Sequence, residues 1–299
     1  MTRFLASLML CFSLSSAAFA EPALRVLTTF TILQDFVREV GGDRVAVTTL
    51  VSFDEDAHAF DARASDIRRL RETDLVVSNG LGFDPWIDAM LQSARYTGAH
   101  LIASTNAAPL ERDDEGHGEP GHEHHHDGNT DPHAWLDVRN AMAYVRSIAD
   151  ALIAADPGGT EFYRANATAY LARLEALDAT LRSTFAALPE SRRTVVTPHD
   201  AFGYFAHAYG LRFLAPAGLS NEAAPSAAAL AALIRQLQQL KVDRVYLETL
   251  TDDRLIQRIG KETGARVGGA LYADALSVRD GADSFIGMME HNLRMLAGQ

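Results

Sequence analysis

Along the chain, short apolar runs alternate with stretches in which apolar residues recur every three or four positions. Arg25–Phe30 reads as a strand, and Thr31–Val40 as a helix closed by Gly41-Gly42. Val45–Val51 predicts a second strand, followed by an acidic loop. Ser65-Asp66 caps a helix that reaches about Thr73, and Asp74–Gly80 forms a short buried strand. Trp86–Ala94 predicts another helix and His100–Ser104 another strand. Alternation of this kind predicts parallel βα units, whose loops at the strand C-termini are available to a ligand.

Residues 111–132 break the pattern. Their acidic, Gly- and His-rich composition supplies nothing for a core and predicts a mobile loop. Beyond it, Val138–Ala155 is helical. Phe162, Tyr163, Tyr170, Leu171, Leu174, Leu177, Leu181 and Phe185 then keep helical spacing from about Thr160 to Leu188. A helix of roughly 29 residues would be about 43 Å long, which suits a rigid strut between lobes and restricts their closure. After Pro189 the alternation resumes. Strands are expected at Thr194–Thr197, Arg212–Leu214, Arg244–Glu248 and Arg266–Leu271. Helices are expected at Phe202–Tyr209, Ser226–Leu240, Asp253–Thr263 and Ser284–Leu296. The expectation is an α/β protein with an N-terminal lobe over residues 21–157, a linking helix over 158–189 and a C-terminal lobe over 190–299.

The first twenty residues stand apart. Arg3 precedes an apolar run, Phe4–Phe12, broken only by Ser7, and small residues follow, ending Ala18-Phe19-Ala20. This is the pattern of a secretory signal peptide with its cleavage site, and the run is too short to span a bilayer. Leu10 stands before Cys11 where a lipoprotein site needs a small residue. The mature chain is therefore expected to start at Glu21 as a soluble periplasmic protein without a lipid anchor. Hydrophobic residues make up 47% of the chain and charged residues 22%, a globular balance. A formal charge of −12 argues against a nucleic-acid partner. A single cysteine excludes a disulfide framework, a Cys-type zinc finger and an iron–sulfur centre.

The eleven histidines sort by context. His100, His207 and His291 lie within predicted elements and read as structural or surface residues. His117, His122, His124, His125 and His126 belong to the acidic loop. His58, His133 and His199 lie in loops right after predicted strands, and Asp274 holds a similar strand-end position. Three imidazoles and one carboxylate suffice for a tetrahedral site on a borderline metal such as Zn²⁺. Spacing alone is a weak signal for such a set.

Longer stretches add to it. His58-Ala-Phe-Asp-Ala-Arg-Ala-Ser-Asp66, Asp74-Leu-Val-Val-Ser-Asn-Gly-Leu-Gly82 and Asp131-Pro-His-Ala-Trp-Leu-Asp137 come first. Thr197-Pro-His-Asp-Ala-Phe-Gly-Tyr-Phe205, Glu262-Thr-Gly264 and Leu271-Tyr-Ala-Asp-Ala-Leu-Ser277 follow. In order and content these resemble the periplasmic metal-binding proteins of ABC importers in the cluster A-I class, specifically the zinc branch. The resemblance implies two (β/α)₄-like lobes, a long linking helix and one metal in the cleft, held by His58, His133, His199 and Asp274. In the manganese branch the third position is a glutamate; His199 stands there in this chain and leans toward zinc. The stretch Ser52-Phe-Asp-Glu-Asp-Ala57 departs from the family, which commonly shows Gly and Asp-Pro-His. The loop backbone is expected to differ there without moving the ligand.

The implied function is capture of Zn²⁺ in the periplasm and delivery to the membrane permease of a zinc ABC transporter, by a monomer, with a periplasmic metallochaperone as a further partner. The alternatives are a zinc buffer or chaperone, or a zinc hydrolase. Four protein ligands would close the site against catalysis. Resemblance also implies that the His-rich loop is a weaker metal collector. Asp137, Asp200 and Glu248 are candidates to hold the far imidazole nitrogens, although Asp137 could equally cap the helix starting at Val138. Trp135, Phe60, Phe202 and Tyr204 are expected to wall the cleft or to pack in the core.

Overall fold

Four short strands form the N-terminal sheet: β1 (Leu24–Thr28), β2 (Val45–Thr49), β3 (Leu75–Ser78) and β4 (Ala99–Ile102). All pairings are parallel, in the order β2-β1-β3-β4. A computed structural model of the chain describes residues 23–110, 130–219 and 226–298. The expected signal peptide and His117, His122, His124, His125 and His126 lie outside the described residues. Every residue of β3 is buried, as a parallel strand covered on both faces should be. The helices α1 (Thr31–Gly41), α2 (Ala64–Arg71), α3 (Trp86–Ala94) and α4 (Val138–Ala155) belong to this half. The C-terminal half runs β5 (Thr194–Val196), α6 (Gly203–Tyr209), β6 (Arg212–Leu214), α7 (Ala227–Leu240), β7 (Arg244–Glu248), α8 (Asp253–Thr263), β8 (Arg266–Leu271) and α9 (Phe285–Ala297). Its parallel ladders are β5 with β6 and β7 with β8.

Side-chain caps set several helix starts. Ser226, Asp252 and Ser284 accept the N–H groups of Ala229, Arg254 and Gly287 and open α7, α8 and α9. At α2 the expected Ser65-Asp66 start moves back to Arg63. Asp66 sits in the first turn, where its carboxylate accepts the Arg63 N–H at 3.0 Å.

Joining the halves is α5 (Thr160–Ala186), two residues shorter than the periodicity predicted. Tyr163, Ala167, Tyr170, Leu174, Leu177, Leu181 and Phe185 are buried along it, whereas Phe162 is exposed. It packs on α1 and α4 in the N-terminal half and on α6 and α9 in the C-terminal half. One continuous core results, from Val26 and Val77 across Leu174 to Phe285, Met288 and Met289. A smaller core lies under α7 and α8, built from Leu233, Leu237, Val245, Ile256 and Ile259. Among the described residues no helix is long and apolar enough to cross a membrane.

Leu174 is fully buried at the centre of this shared core. Leu174→Ala should therefore cost about 3 kcal/mol. In urea titration, fluorescence from Trp86 and Trp135 and far-UV dichroism should shift together, as for a single cooperative unit.

Candidate metal centre

His58, His133, His199 and Asp274 converge where the loops leave the strands. Leaving β2, the chain keeps Leu50 and Val51 bonded to the carbonyls of Thr28 and Thr29. It then turns, with Asp54 in the left-handed region at φ 59°. The Asp56 carboxylate accepts the His58 N–H at 2.8 Å, a local turn that sets the ring's base. The His58 ring stands edge-on to Phe83, centroids 4.6 Å apart.

His133 is held from behind. Asp131 Oδ1 accepts both the His133 backbone N–H, at 2.9 Å, and Nδ1–H, at 2.8 Å. A proton on Nδ1 leaves the Nε2 lone pair facing the centre. The Asn79 amide donates to the Pro132 carbonyl at 3.0 Å and accepts the Tyr144 hydroxyl at 2.9 Å. His199 follows β5 and repeats the arrangement: its Nδ1 meets the carboxylate of Glu248, the last residue of β7. Asp274 follows β8, and the Trp135 indole N–H donates to the neighbouring Ala273 carbonyl at 3.0 Å.

Asp274 Oδ1 lies 3.3 Å from His133 Nε2, and Oδ2 lies 3.2 Å from His199 Nε2 and 3.7 Å from His58 Nε2. The four donor atoms all fall within 4.8 Å of one another. Tetrahedral coordination with bonds near 2.0–2.1 Å needs donors about 3.3 Å apart, so the cluster is close to that size. His133, His199 and Asp274 are at most 2% exposed. The three Nε2 atoms and both Asp274 oxygens are buried without a hydrogen-bond partner among the described residues. Buried polar atoms are ordinarily satisfied, and a cation at their centre satisfies all of these at once.

Electrostatics follow the same geometry. Burial pulls His133 down, but Asp274 and Asp131 outweigh it and hold its pKa at about 9. Burial is likewise outweighed at His199, which Glu248 and Asp274 raise well above the usual histidine range. His58 lacks such a partner carboxylate, and burial lowers it. Burial would raise Asp274, yet His133 and His199 hold it well below the ordinary carboxylate value. Burial pushes Glu248 up.

Not every residue marked in the sequence faces the centre. Asp137 caps α4 by accepting the Arg139 N–H at 2.9 Å, and Asp131 occupies the place behind His133. The Asp200 backbone N–H donates to the Gly218 carbonyl at 3.0 Å, joining the loops after β5 and β6. Phe60 packs on Trp86 and Phe202 stacks on Phe213, while the Tyr204 hydroxyl accepts the Leu110 N–H. The aromatic wall at the imidazoles is Phe83 with Trp135. His100 shares a hydrogen bond with Ser78, and His207 is exposed. His291 is the structural case, buried with its Nε2–H donating to the Ala270 carbonyl against the Tyr272 ring. Asp131 was overlooked in the sequence although it had a signal, an aspartate two residues before a histidine, the spacing of a local side-chain turn.

A two-lobed α/β fold with three imidazoles and a carboxylate buried between its halves defines a metal-binding solute-binding protein. Residues 26–299 match the ZnuA family, described as zinc-uptake complex component A, periplasmic, and the chain belongs to that family of ABC-transporter components. The manganese-binding lipoprotein MntA of Halalkalibacterium halodurans is 30% identical over 272 residues, covering 90% of this chain and 86% of its own. The iron-binding protein YfeA of Yersinia pestis is 31% identical over 277 residues, covering 90% and 85%. The solved structure of the periplasmic zinc-binding protein TroA from Treponema pallidum aligns with a TM-score of 0.82 at 25% identity, over 93% of this chain and 99% of that one. The family assigns a divalent-metal cargo, a membrane permease as partner and a binding role in place of an enzymatic one. The hydrolase alternative falls with that assignment.

Because the pKa values of His133 and His199 are both raised, metal should compete with protons at these rings, so binding should release protons and strengthen as pH rises. Calorimetry in buffers of different ionisation enthalpy measures this; a buffer-independent heat would contradict it. Glu248→Gln should weaken metal binding about 10–100-fold at constant fold, measured by competition with a chelator.

Proposed function

We propose that the protein captures Zn²⁺ in the periplasm through His58, His133, His199 and Asp274 and hands it to the permease of a zinc ABC importer. The observation that carries this is the donor set, three Nε2 atoms around one carboxylate at separations near those of tetrahedral zinc. Neutral imidazoles with one carboxylate leave a divalent ion at formal +1, and nitrogen donors suit zinc better than manganese. Asp131 and Glu248 raise the basicity of two imidazoles and hold their tautomers. Export relies on removal of residues 1–20, and the mature chain is a monomer without a lipid anchor. His117, His122, His124, His125 and His126 act as a weaker collector that feeds the cleft. Residues 21–157 and 190–299 are the two lobes, with 158–189 linking them. The names of MntA and YfeA support a second reading, in which the cargo is Mn²⁺ or Fe²⁺.

Competitive titration of the demetallated mature protein separates the two. Zn²⁺ should displace Mn²⁺ and Fe²⁺ from a single tight site; preference for either of those ions overturns the zinc reading. Removing residues 116–127 should lower the number of weak sites and leave the tight one. His199→Ala should weaken the tight site and spare the weak ones. Loss of zinc uptake in a deletion strain under starvation would distinguish delivery to a permease from buffering.

A further inference from the structure

The loop that carries Asp274 emerges from β8 in the C-terminal half, where Tyr272 pairs with Asn292 of α9, yet immediately on both sides of Asp274 its hydrogen bonds run to the N-terminal half. On one side of Asp274, the Trp135 indole N–H donates to the Ala273 carbonyl at 3.0 Å. On the other, the Leu276 N–H donates to the Thr31 hydroxyl at 2.9 Å, and the Leu276 carbonyl accepts the Asp54 N–H at 3.1 Å. The Asp54 carboxylate also takes the Arg279 guanidinium at 2.9 Å. One turn along α1 from Thr31, Asp35 accepts the Phe285 N–H at 2.9 Å. Thr31, Asp35 and Trp135 are buried, so the bonds these three make are expensive to leave unmade.

His199 is held differently. The Thr197 N–H donates to the Leu214 carbonyl, the Asp200 N–H to the Gly218 carbonyl, and Glu248 meets the His199 ring. These partners all lie within the C-terminal half, and the segment's hydrogen bond to the N-terminal half comes later, where the Tyr204 hydroxyl accepts the Leu110 N–H.

We infer that Thr31, Asp54 and Trp135 are positioning residues for Asp274, so that the metal centre divides into His58, His133 and Asp274 held by the N-terminal half and His199 held by the C-terminal half. Chain order instead suggests two donors from each lobe. Asp54 carries part of this tie: its left-handed backbone conformation presents its N–H to Leu276. Parting of the halves withdraws one imidazole and leaves three donors with an open position, the coordination in which a ligand can be exchanged. Metal therefore enters and leaves at the His199 corner. The inference rests on the four-ligand set proposed above.

Co²⁺ serves as the probe, because its visible absorption reports four-coordinate geometry. Thr31→Val removes the acceptor at nearly constant shape, Thr31→Ser restores it, and Trp135→Phe removes only the indole N–H donor and the smaller ring. Thr31→Val and Trp135→Phe should lose Co²⁺ to a chelator about tenfold faster or more, with an altered visible spectrum. Thr31→Ser should behave as wild type. In wild-type protein, metal removal should raise amide exchange over residues 194–202 and leave residues 273–279 protected. Should Thr31→Val fail to fold, that exchange measurement decides alone. A wild-type Co²⁺ spectrum that is not four-coordinate overturns the ligand set and the inference with it. A four-coordinate spectrum unchanged in Thr31→Val and Trp135→Phe, or residues 273–279 opening together with 194–202, overturns the inference alone.

Discussion

Five polar atoms out of water, with no hydrogen-bond partner among the described residues, are the constraint on which the rest of this structure depends. The Nε2 atoms of His58, His133 and His199 and both oxygens of Asp274 face one another inside the protein. Taking such groups from water without compensation costs on the order of several kcal/mol. The surrounding protein keeps them there by building up other interactions. Asp131 and Glu248 bind the backs of two rings, and the Asn79 amide ties down the peptide before one of them. The wall of Phe83 and Trp135 excludes water. Rigid presentation of unsatisfied donors is what allows a cation to be bound without the cost of ordering them at the moment of capture.

The same arrangement links charge to cargo. A carboxylate behind a ring makes that imidazole a better base, which favours metal and proton alike. His133 and His199 have such carboxylates and His58 does not, and their pKa values part in opposite directions. The centre therefore has two strongly basic corners and one weak one. Relatives named for manganese, iron and zinc share this scaffold, so selectivity belongs to the donors and to these supports rather than to the fold.

Much of this was legible in the sequence wherever the signal was local. Both ends of α4, α8 and three C-terminal strands could be read to the residue, because periodicity, Ser or Asp caps and flanking glycines act within one turn. The four residues that converge at the centre were read by motif, and Glu248, which meets the His199 ring, by its strand-end position. What escaped depends on distance in the chain. Asp137 and Asp131 both flank His133, and only packing decides that one caps a helix while the other turns to the ring. Between a structural and a surface role for His291 its own helix could not decide, because the Ala270 carbonyl it meets lies on β8. Ties between residues 245 positions apart, such as Leu276 to Thr31, leave no periodic trace at all.

A core shared by both halves also bears on how the chain matures. Phe36 of α1 packs edge-on against Phe285 of α9, centroids 4.9 Å apart and nearly the whole sequence away. During synthesis from the N-terminus, the face of α1 that meets α9 stays uncovered until that last helix is made. Contacts of such long range slow folding. A polypeptide with this topology stays threadable until it is almost complete, which suits one that has to cross a membrane before it can hold its metal.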